Sequence, residues 1–469
     1  MEKQQDTMEK VVSLCKRRGF VFQGSEIYGG LKGTWDLGPL GVSLNNHIKR
    51  EWWKMFVDGR EDMYGLDAAI LMNAKVWEAS GHTGAGFADP MVECLECQSR
   101  FRADHLYESL SAKAALAGDA TSVPSLKEDG NFNFSNSACP NCKKVGKWSE
   151  TRQFNMMFET TIGATAGPDG KVYLRPETAQ GIFVNFKNVV DSMSPKMPFG
   201  IAQIGKAFRN EIAPREFLFR VREFEQMEIE YFVKEGEWAE QFEIWRQELW
   251  KWFDHLGLAR ADVREFEVPD NDLAHYSKRT IDFEYNYPGK GFDELAGFAY
   301  RTDHDLKSHM NASGTSLEYI EADGTRFIPH VLEPSFGVGR AITAVLCAAY
   351  KEDEMNGEVR TYLKLPVHLA PYRVAVSPLL KNKPDLVSKA REVFTLLKKE
   401  FGNVAYDDNS NVGKRYRRQD EIGTPYCIVI DFDTLGEEVP AHKDTVTVRH
   451  RDTGTQDRME ISKLVEYLK

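Results

Sequence analysis

Between positions 203 and 232 the chain reads QIGKAFRNEIAPREFLFRVREFEQMEIEYF, with apolar and polar residues alternating on both sides of a polar, proline-containing break at 212–216. Period-two alternation predicts two β-strands joined by a loop. On the second strand it puts Arg220, Arg222, Phe224, Gln226, Glu228 and Glu230 on one face and Phe219, Val221, Met227, Ile229 and Tyr231 on the other. Arg209 and Glu211, two apart on the first strand, share a face in the same way. A face carrying guanidinium groups, carboxylates and one ring suits a ligand with phosphate, amine and a flat base. A solvated antiparallel sheet with cross-strand ion pairs has the same alternation, but gains nothing from Phe224.

Helical spacing predicts a short amphipathic helix over 8–18, ended by Gly19, and a longer one over 40–57 with Leu40, Leu44, Ile48, Trp52, Met55 and Phe56 on one stripe. The glycine-rich stretch 24–41 between them predicts loop and turn. An apolar strand is expected at 68–72. Farther on come a strand and helix over 172–186, an aromatic-striped helix over 237–256, antiparallel strands over 280–306 and a nearly continuous apolar helix over 341–350. From about Leu365, strands and helices alternate as an α/β unit.

With 469 residues and 42% hydrophobic composition the chain can bury two or three cores. No stretch approaches a membrane span and no signal-type N-terminus is evident, so a cytoplasmic protein is expected. The net charge of −11 disfavours indiscriminate nucleic-acid binding and leaves local basic patches open. Four of seven cysteines form two C-x-x-C pairs, Cys94/Cys97 and Cys139/Cys142, inside a segment at about 91–148. Two such turns present four thiolates as a structural zinc requires; paired free thiols, a redox couple or iron are the alternatives. A helix is expected at 105–117 and a polar loop at 118–136.

Arg209-Asn-Glu211, a loop, then Arg220-x-x-x-Phe224-x-x-x-Glu228 resembles motif 2 of the class II aminoacyl-tRNA synthetases. With RPETAQGIF upstream and EPSFGVGR downstream, nearly the whole chain resembles the homodimeric glycyl-tRNA synthetase family. The resemblance implies an α+β catalytic domain over 1–360, its central antiparallel sheet flanked by helices and its zinc-binding insertion at 91–148, and a C-terminal α/β anticodon-binding domain over 365–469. It implies ATP-dependent activation of glycine, with Mg2+, and transfer to tRNA(Gly). The alternatives are a class II enzyme for another amino acid and a catalytically inactive binding relative; the presence of Arg209, Glu211, Phe224 and Arg340 argues against the second.

The same resemblance implies site roles. Arg209, Arg222 and Arg340 are expected to act on the phosphates. The ATP site would take in Arg209, Asn210, Glu211, Phe219, Arg220, Val221, Arg222, Glu223, Phe224, Glu294, Leu295, Gly337, Val338, Gly339 and Arg340. The glycine site would take in Arg102, Glu177, Phe224, Glu225, Gln226, Met227, Glu228, Glu333, Pro334, Ser335, Phe336 and Gly337. Lys414, Arg415, Arg417 and Arg418, the densest basic run, would meet tRNA phosphates, unless they form a solvated face paired with Asp420 and Glu421. Helix and strand at 40–72 resemble motif 1, the dimer element. Two positions depart from the family pattern: Ala74 stands where proline is usual, and Gly339 where relatives often carry an acid.

Overall fold

The computed structural model describes residues 2–84, 87–118, 123–127, 131–163, 170–214, 217–355 and 357–469. Its centre is a seven-stranded sheet made of β1 (Met63–Gly65), β2 (Phe199–Phe208), β3 (Glu223–Val233), β4 (Val263–Glu267), β5 (Arg279–Tyr287), β6 (Gly291–Thr302) and β7 (His330–Gly337), in the order β4-β5-β6-β7-β3-β2-β1. All pairs are antiparallel except β2 with β1. One face packs against α1 (Glu2–Arg18), α2 (Pro39–Trp53), α6 (Trp238–His255) and α8 (Val338–Ala349), burying Trp52, Phe56, Met227, Trp245, Leu295 and Phe336 in one core. The other face is covered at one end by α5 (Ala179–Met193) and α7 (His304–Ser313). Beyond that cover it carries the chemistry. A sheet with one helix-packed face and one ligand-bearing face explains the clean alternation of β3.

The segment at 88–155 carries a three-stranded sheet, with Ala88–Glu93 between Arg100–Arg102 and Arg152–Asn155, backed by α4 (Ala103–Ala117). The C-terminal unit holds a five-stranded sheet of β8 (Val374–Pro378), β9 (Val404–Tyr406), β10 (Tyr426–Ile430), β11 (Thr445–His450) and β12 (Gln456–Glu460), in the order β9-β8-β10-β11-β12. It has its own core, with α9 (Pro384–Phe401) packed on it and α10 (Val412–Glu421) alongside.

Several expected boundaries move. The strand expected at 68–72 lies earlier, at β1; Leu71 makes only a single bridge to Leu174. Arg175 donates from Nη1 to the Ala68 carbonyl at 2.7 Å, so a side chain there replaces ladder bonding. The helix expected to reach 57 ends its α-helical part at Trp53 and opens into a π-helical turn over Lys54–Asp58. The glycine-rich stretch includes a short strand, Trp35–Leu37, paired with Val21–Gln23. The strands expected over 280–306 stop at Thr302, where α7 soon begins. Within 118–136, Ser125–Leu126 pairs with Phe132–Asn133, and the remainder of that expected loop falls partly outside the described residues.

The central alternation also ends sooner than expected. Strand β2 stops at Phe208 and β3 starts at Glu223, so Arg209, Glu211, Arg220 and Arg222 lie on the loop. The Arg209 N–H donates to the Arg222 carbonyl at 3.0 Å and closes that loop where the strands part.

Candidate active site

Two adjoining chambers open on the free face of the sheet. The outer one, of about 310 Å³, is walled by the 209–222 loop, the start of β3 and the start of α8. The inner one, of about 290 Å³, is floored by β3, β6 and β7. Arg209, Gln226 and Ser335 line both.

The outer chamber is lined by arginines, carboxylates and two aromatic rings. Arg209 donates from Nε to the Pro176 carbonyl at 3.1 Å, and its guanidinium stands 5.5 Å from the Phe224 ring centre. Arg340, in the first turn of α8, pairs with Glu294 at 2.8 Å and lies 4.5 Å over the Phe219 ring. The Arg340 charge holds the half-exposed Glu294 carboxyl below its ordinary value, against the effect of burial. Glu211, Arg220, Val221 and Gly337 also line this chamber. Arg102 reaches it while chelated by Asp104 and bonded to Asp89. A Cβ on Gly339 would stand 2.8 Å from the Leu218 carbonyl oxygen. Leu218 belongs to the loop that walls the chamber, so an acid at 339 would require that loop to shift.

The inner chamber is acidic. Glu177, Glu228, Glu333 and Ser335, far apart in sequence, all face it. Ser335 and Gln226 donate to Glu228 at 2.8 and 3.3 Å, and the Thr178 hydroxyl donates to its other oxygen. Glu177 is met by His82 at 3.3 Å and by Gln180 at 3.1 Å. Burial works against its charge, but His82, Arg301 and the Gln180 bond outweigh it and hold the carboxyl well below the usual range. Burial and the Glu177 charge push Glu228 up. Glu333 is pushed up to about 8 by burial and by Glu228 and Glu177, although Arg301 donates to it at 2.7 Å.

Several expected site residues stand elsewhere. Period-two alternation sends Met227, Pro334 and Phe336 away from the chambers, and Leu295 and Val338, the latter at the start of α8, are likewise buried in the core. Glu225 lines the outer chamber, but its carboxylate is turned to α2, bonded to Lys49 at 2.9 Å and Asn45 at 3.2 Å. Glu223 pairs with Lys206 on the outer surface at 2.9 Å. Asn210 is tied by its backbone N–H to the Met156 carbonyl. The Arg222 guanidinium donates to the Lys32 and Glu211 carbonyls at 2.6 and 3.1 Å, which makes it a brace for the loop.

Other residues of the site were not singled out by sequence reasoning. Arg301, 1% exposed, bonds Asp305 through two nitrogens at 2.8 Å each and Glu333 through the third. Tyr276 lies under its guanidinium at 3.8 Å. Asp282, pushed up to about 7 by burial and by Glu294 and Glu284, lines the inner chamber. Alternation along β6 was the available signal, since Gly297, Ala299 and Arg301 share one face.

In the 88–155 segment the Sγ atoms of Cys94, Cys97, Cys139 and Cys142 all lie within 4.8 Å of one another, with Cys94–Cys142 at 3.6 Å and Cys97–Cys139 at 3.8 Å. A tetrahedron of thiolates around zinc has edges of about 3.8 Å. The two C-x-x-C turns are built alike: each first cysteine's carbonyl accepts from the residue after the second, Gln98 or Lys143, and both of those have positive φ.

The basic run on α10 does not present its four cations together. Arg415 is 3% exposed and donates to the carbonyls of Pro378, Asp408 and Ser410. Arg418 chelates Asp407 at 2.8 Å and Arg417 pairs with Glu358. Lys414 is the one member of the four whose exposed side chain makes no ion pair among the described residues. Asp420 and Glu421 serve other cations, Arg449 and Arg18. Arg415→Ala is therefore expected to destabilise the protein by roughly 2–4 kcal/mol through carbonyls left unsatisfied, and Lys414→Ala to leave melting unchanged. Equal melting of the two variants would refute this placement.

Residues 165–349 match the tRNA synthetase class II core domain (G, H, P, S and T), and residues 373–469 match the anticodon binding domain. Together with the antiparallel sheet and its two chambers, these matches define a class II aminoacyl-tRNA synthetase. Within that class the chain is 49% identical over 467 residues to the glycine–tRNA ligase of Clostridium tetani, covering 98% of both chains. It is 48% identical to that of Cutibacterium acnes, over 98% of this chain and 96% of the relative, and 47% identical to that of Thermobifida fusca, over 100% and 98%. The chain belongs to the glycine–tRNA ligase family.

Proposed function

We propose that the inner chamber seats glycine and the outer one ATP, and that the chain joins them to glycyl-adenylate and pyrophosphate before passing glycine to the 3′ end of tRNA(Gly). One observation carries this assignment: three carboxylates, Glu177, Glu228 and Glu333, converge in a chamber that shares Arg209 with one lined by further arginines and by Phe219 and Phe224. Glycine's carboxylate is already an ionised nucleophile, so no general base is required. It attacks the α-phosphorus, the bond to the bridging oxygen breaks, and pyrophosphate leaves with the electron pair.

Catalysis is then positioning and charge stabilisation. Arg209, at the junction of the chambers, meets the α-phosphate, where negative charge builds up in the transition state. Phe224 stacks on the adenine and Glu211 accepts from its amine. Arg340 neutralises the far phosphates. Arg222 acts at a distance by holding the loop on which Arg209 and Glu211 ride. Glu294, its carboxylate on the chamber wall, would hold Mg2+ on the phosphates, where the ion adds positive charge. In the inner chamber Glu177 holds the ammonium, with Glu228 and Glu333 completing an acidic cup. Every competing amino acid is larger, so steric rejection suffices.

The four thiols would hold a structural zinc that pins the 88–155 segment beside the outer chamber. Cys94→Ser is expected to lower bound metal and melting temperature together; a purified protein without metal whose melting is unchanged by the substitution would remove the zinc assignment. The C-terminal unit over 365–469 would read the tRNA anticodon, and the catalytic part would span 1–360. A second copy would pack along β1 and the neighbouring 66–72 segment, where Leu71 is apolar and 47% exposed at the sheet edge. Ala74 fits that arrangement because Asn73 already caps α3 (Ala74–Ala79), accepting from the Lys75 N–H at 3.0 Å. Such an enzyme works in the cytoplasm, where tRNA is charged. No helix among the described residues is long and apolar enough to cross a membrane.

ATP–pyrophosphate exchange measured with each of the twenty amino acids tests the central assignment. Stimulation by glycine alone is expected, and stimulation by a larger amino acid in its place would overturn the reading of the inner chamber.

A further inference from the structure

Glu230 is fully buried on β3, two residues beyond Glu228 and so on the same face of the sheet. Neither carboxyl oxygen has a hydrogen-bond partner among the described residues. It does not line the inner chamber but lies past Glu228 along β3 on that same face, within electrostatic reach of Glu333 on β7, Arg301 on β6, Glu228 on β3 and Asp305 on α7. Facing it across the ladder on β2 is Ile201, which offers no charge.

The surrounding charges do not balance. Arg301 is engaged by Asp305 through two nitrogens and by Glu333 through the third. Glu228 is hydrogen-bonded only by the neutral donors Thr178, Ser335 and Gln226, and the Arg175 guanidinium, committed to the Lys206 and Ala68 carbonyls, acts on it from a distance. Glu230 is held by none. Ionising every member would leave more than one buried carboxylate without a cation, a state that costs several kcal/mol per ion. Groups this close titrate as a set, with protons belonging to the cluster and not to one residue. The missing cation has the chemistry of the substrate's ammonium.

We infer that Glu230 is a positioning residue of the amino-acid pocket: with Glu228 and Glu333 it shares a proton that keeps the empty pocket near neutrality and leaves when glycine's ammonium enters. This rests on the assignment of the inner chamber to glycine. The exchange is one cation for another, the displaced proton going to the buffer. Glu230 touches no substrate atom. It acts through the two carboxylates in front of it, by making their simultaneous ionisation in the empty pocket unfavourable.

The test is calorimetric titration of glycine into the full-length protein near neutral pH, in buffers of different ionisation enthalpy. The dependence of the observed heat on buffer gives the protons released. Wild type is expected to release a substantial fraction of one proton, up to about one. Glu230→Gln removes an acid of the same shape, relieves repulsion in the cluster, and is expected to halve that release or more. Glycine binding with no buffer dependence in the wild type would overturn the proposal, and so would a Glu230→Gln variant with undiminished release. The wild-type measurement stands by itself if the variant fails to fold. Should glycine produce neither heat nor pyrophosphate exchange, the glycine assignment itself fails, an outcome distinct from binding without proton release.

Discussion

Arg209→Ala is expected to lower the rate of glycine-dependent ATP–pyrophosphate exchange about 10²–10³-fold, the usual cost of losing one preorganised donor to developing charge. Arg209 lines both chambers, so its guanidinium can reach the phosphorus under attack from either reactant's side. Its tie to the fold is slight: one bond to the Pro176 carbonyl and ring contacts with Phe224 and Phe87. Melting temperature is therefore expected to stay near wild type, which separates the chemical role from a structural one. The loss belongs in kcat more than in KM for glycine, because the interaction strengthens as charge moves onto the α-phosphate oxygens. Arg222→Ala makes the contrast. It frees the Lys32 and Glu211 carbonyls and loosens the loop, so KM for ATP and thermal stability should move together with rate. An Arg209→Ala enzyme with undiminished exchange would dismiss Arg209 from the reaction.

The site was legible where regular periodicity runs through it. Alternation on β3 sorts Phe224, Gln226 and Glu228 from Met227 and Ile229, and the structure keeps that sorting. It also decides against side-chain roles for Met227 and Phe336, which family likeness alone had included. Periodicity says nothing of where a strand ends. Arg222 looked equivalent to Phe224 because the pattern continues in the sequence after the ladder has stopped, and on the loop its direction is set by the carbonyls of Lys32 and Glu211. Local sequence is equally silent about partners supplied from a distance. Arg415 sits among cations in the chain, yet the carbonyls around residues 378 and 408–410 enclose it. The Arg301–Asp305–Glu333 network depends on β6, α7 and β7 meeting, which alternation along β6 and the i,i+4 spacing of Arg301 and Asp305 do not reveal.

Glu177→Gln is expected to raise KM for glycine about 10²-fold or more, since removing one partner of a buried charge pair costs roughly 2–5 kcal/mol. Glu177 is the member of the cup most firmly ionised, because His82 and Arg301 overcome the burial that opposes its charge. An amide of the same shape still meets His82 and Gln180, so the fold should persist and the loss should fall on binding of the ammonium. The pH dependence separates it from its neighbours. Glu228 and Glu333 are raised, Glu333 to about 8, so wild-type affinity for glycine should grow as pH rises from 6 towards 8 and protons cease to compete with the ammonium. Glu177→Gln should keep that slope at a higher KM, whereas Glu333→Gln should flatten it. Stability of the empty protein carries the opposite sign. A carboxyl raised on folding contributes stability that is fully present below its unfolded value and is lost as pH climbs through its folded one. The Glu333 contribution is thus lost between about 4.5 and 8. Melting curves of the empty wild type and Glu333→Gln should therefore differ in slope across this range, and saturating glycine with ATP should offset the wild-type decline. A pH-independent KM for glycine in the wild type, with Glu177→Gln binding as tightly, would show that the ammonium is held by other groups.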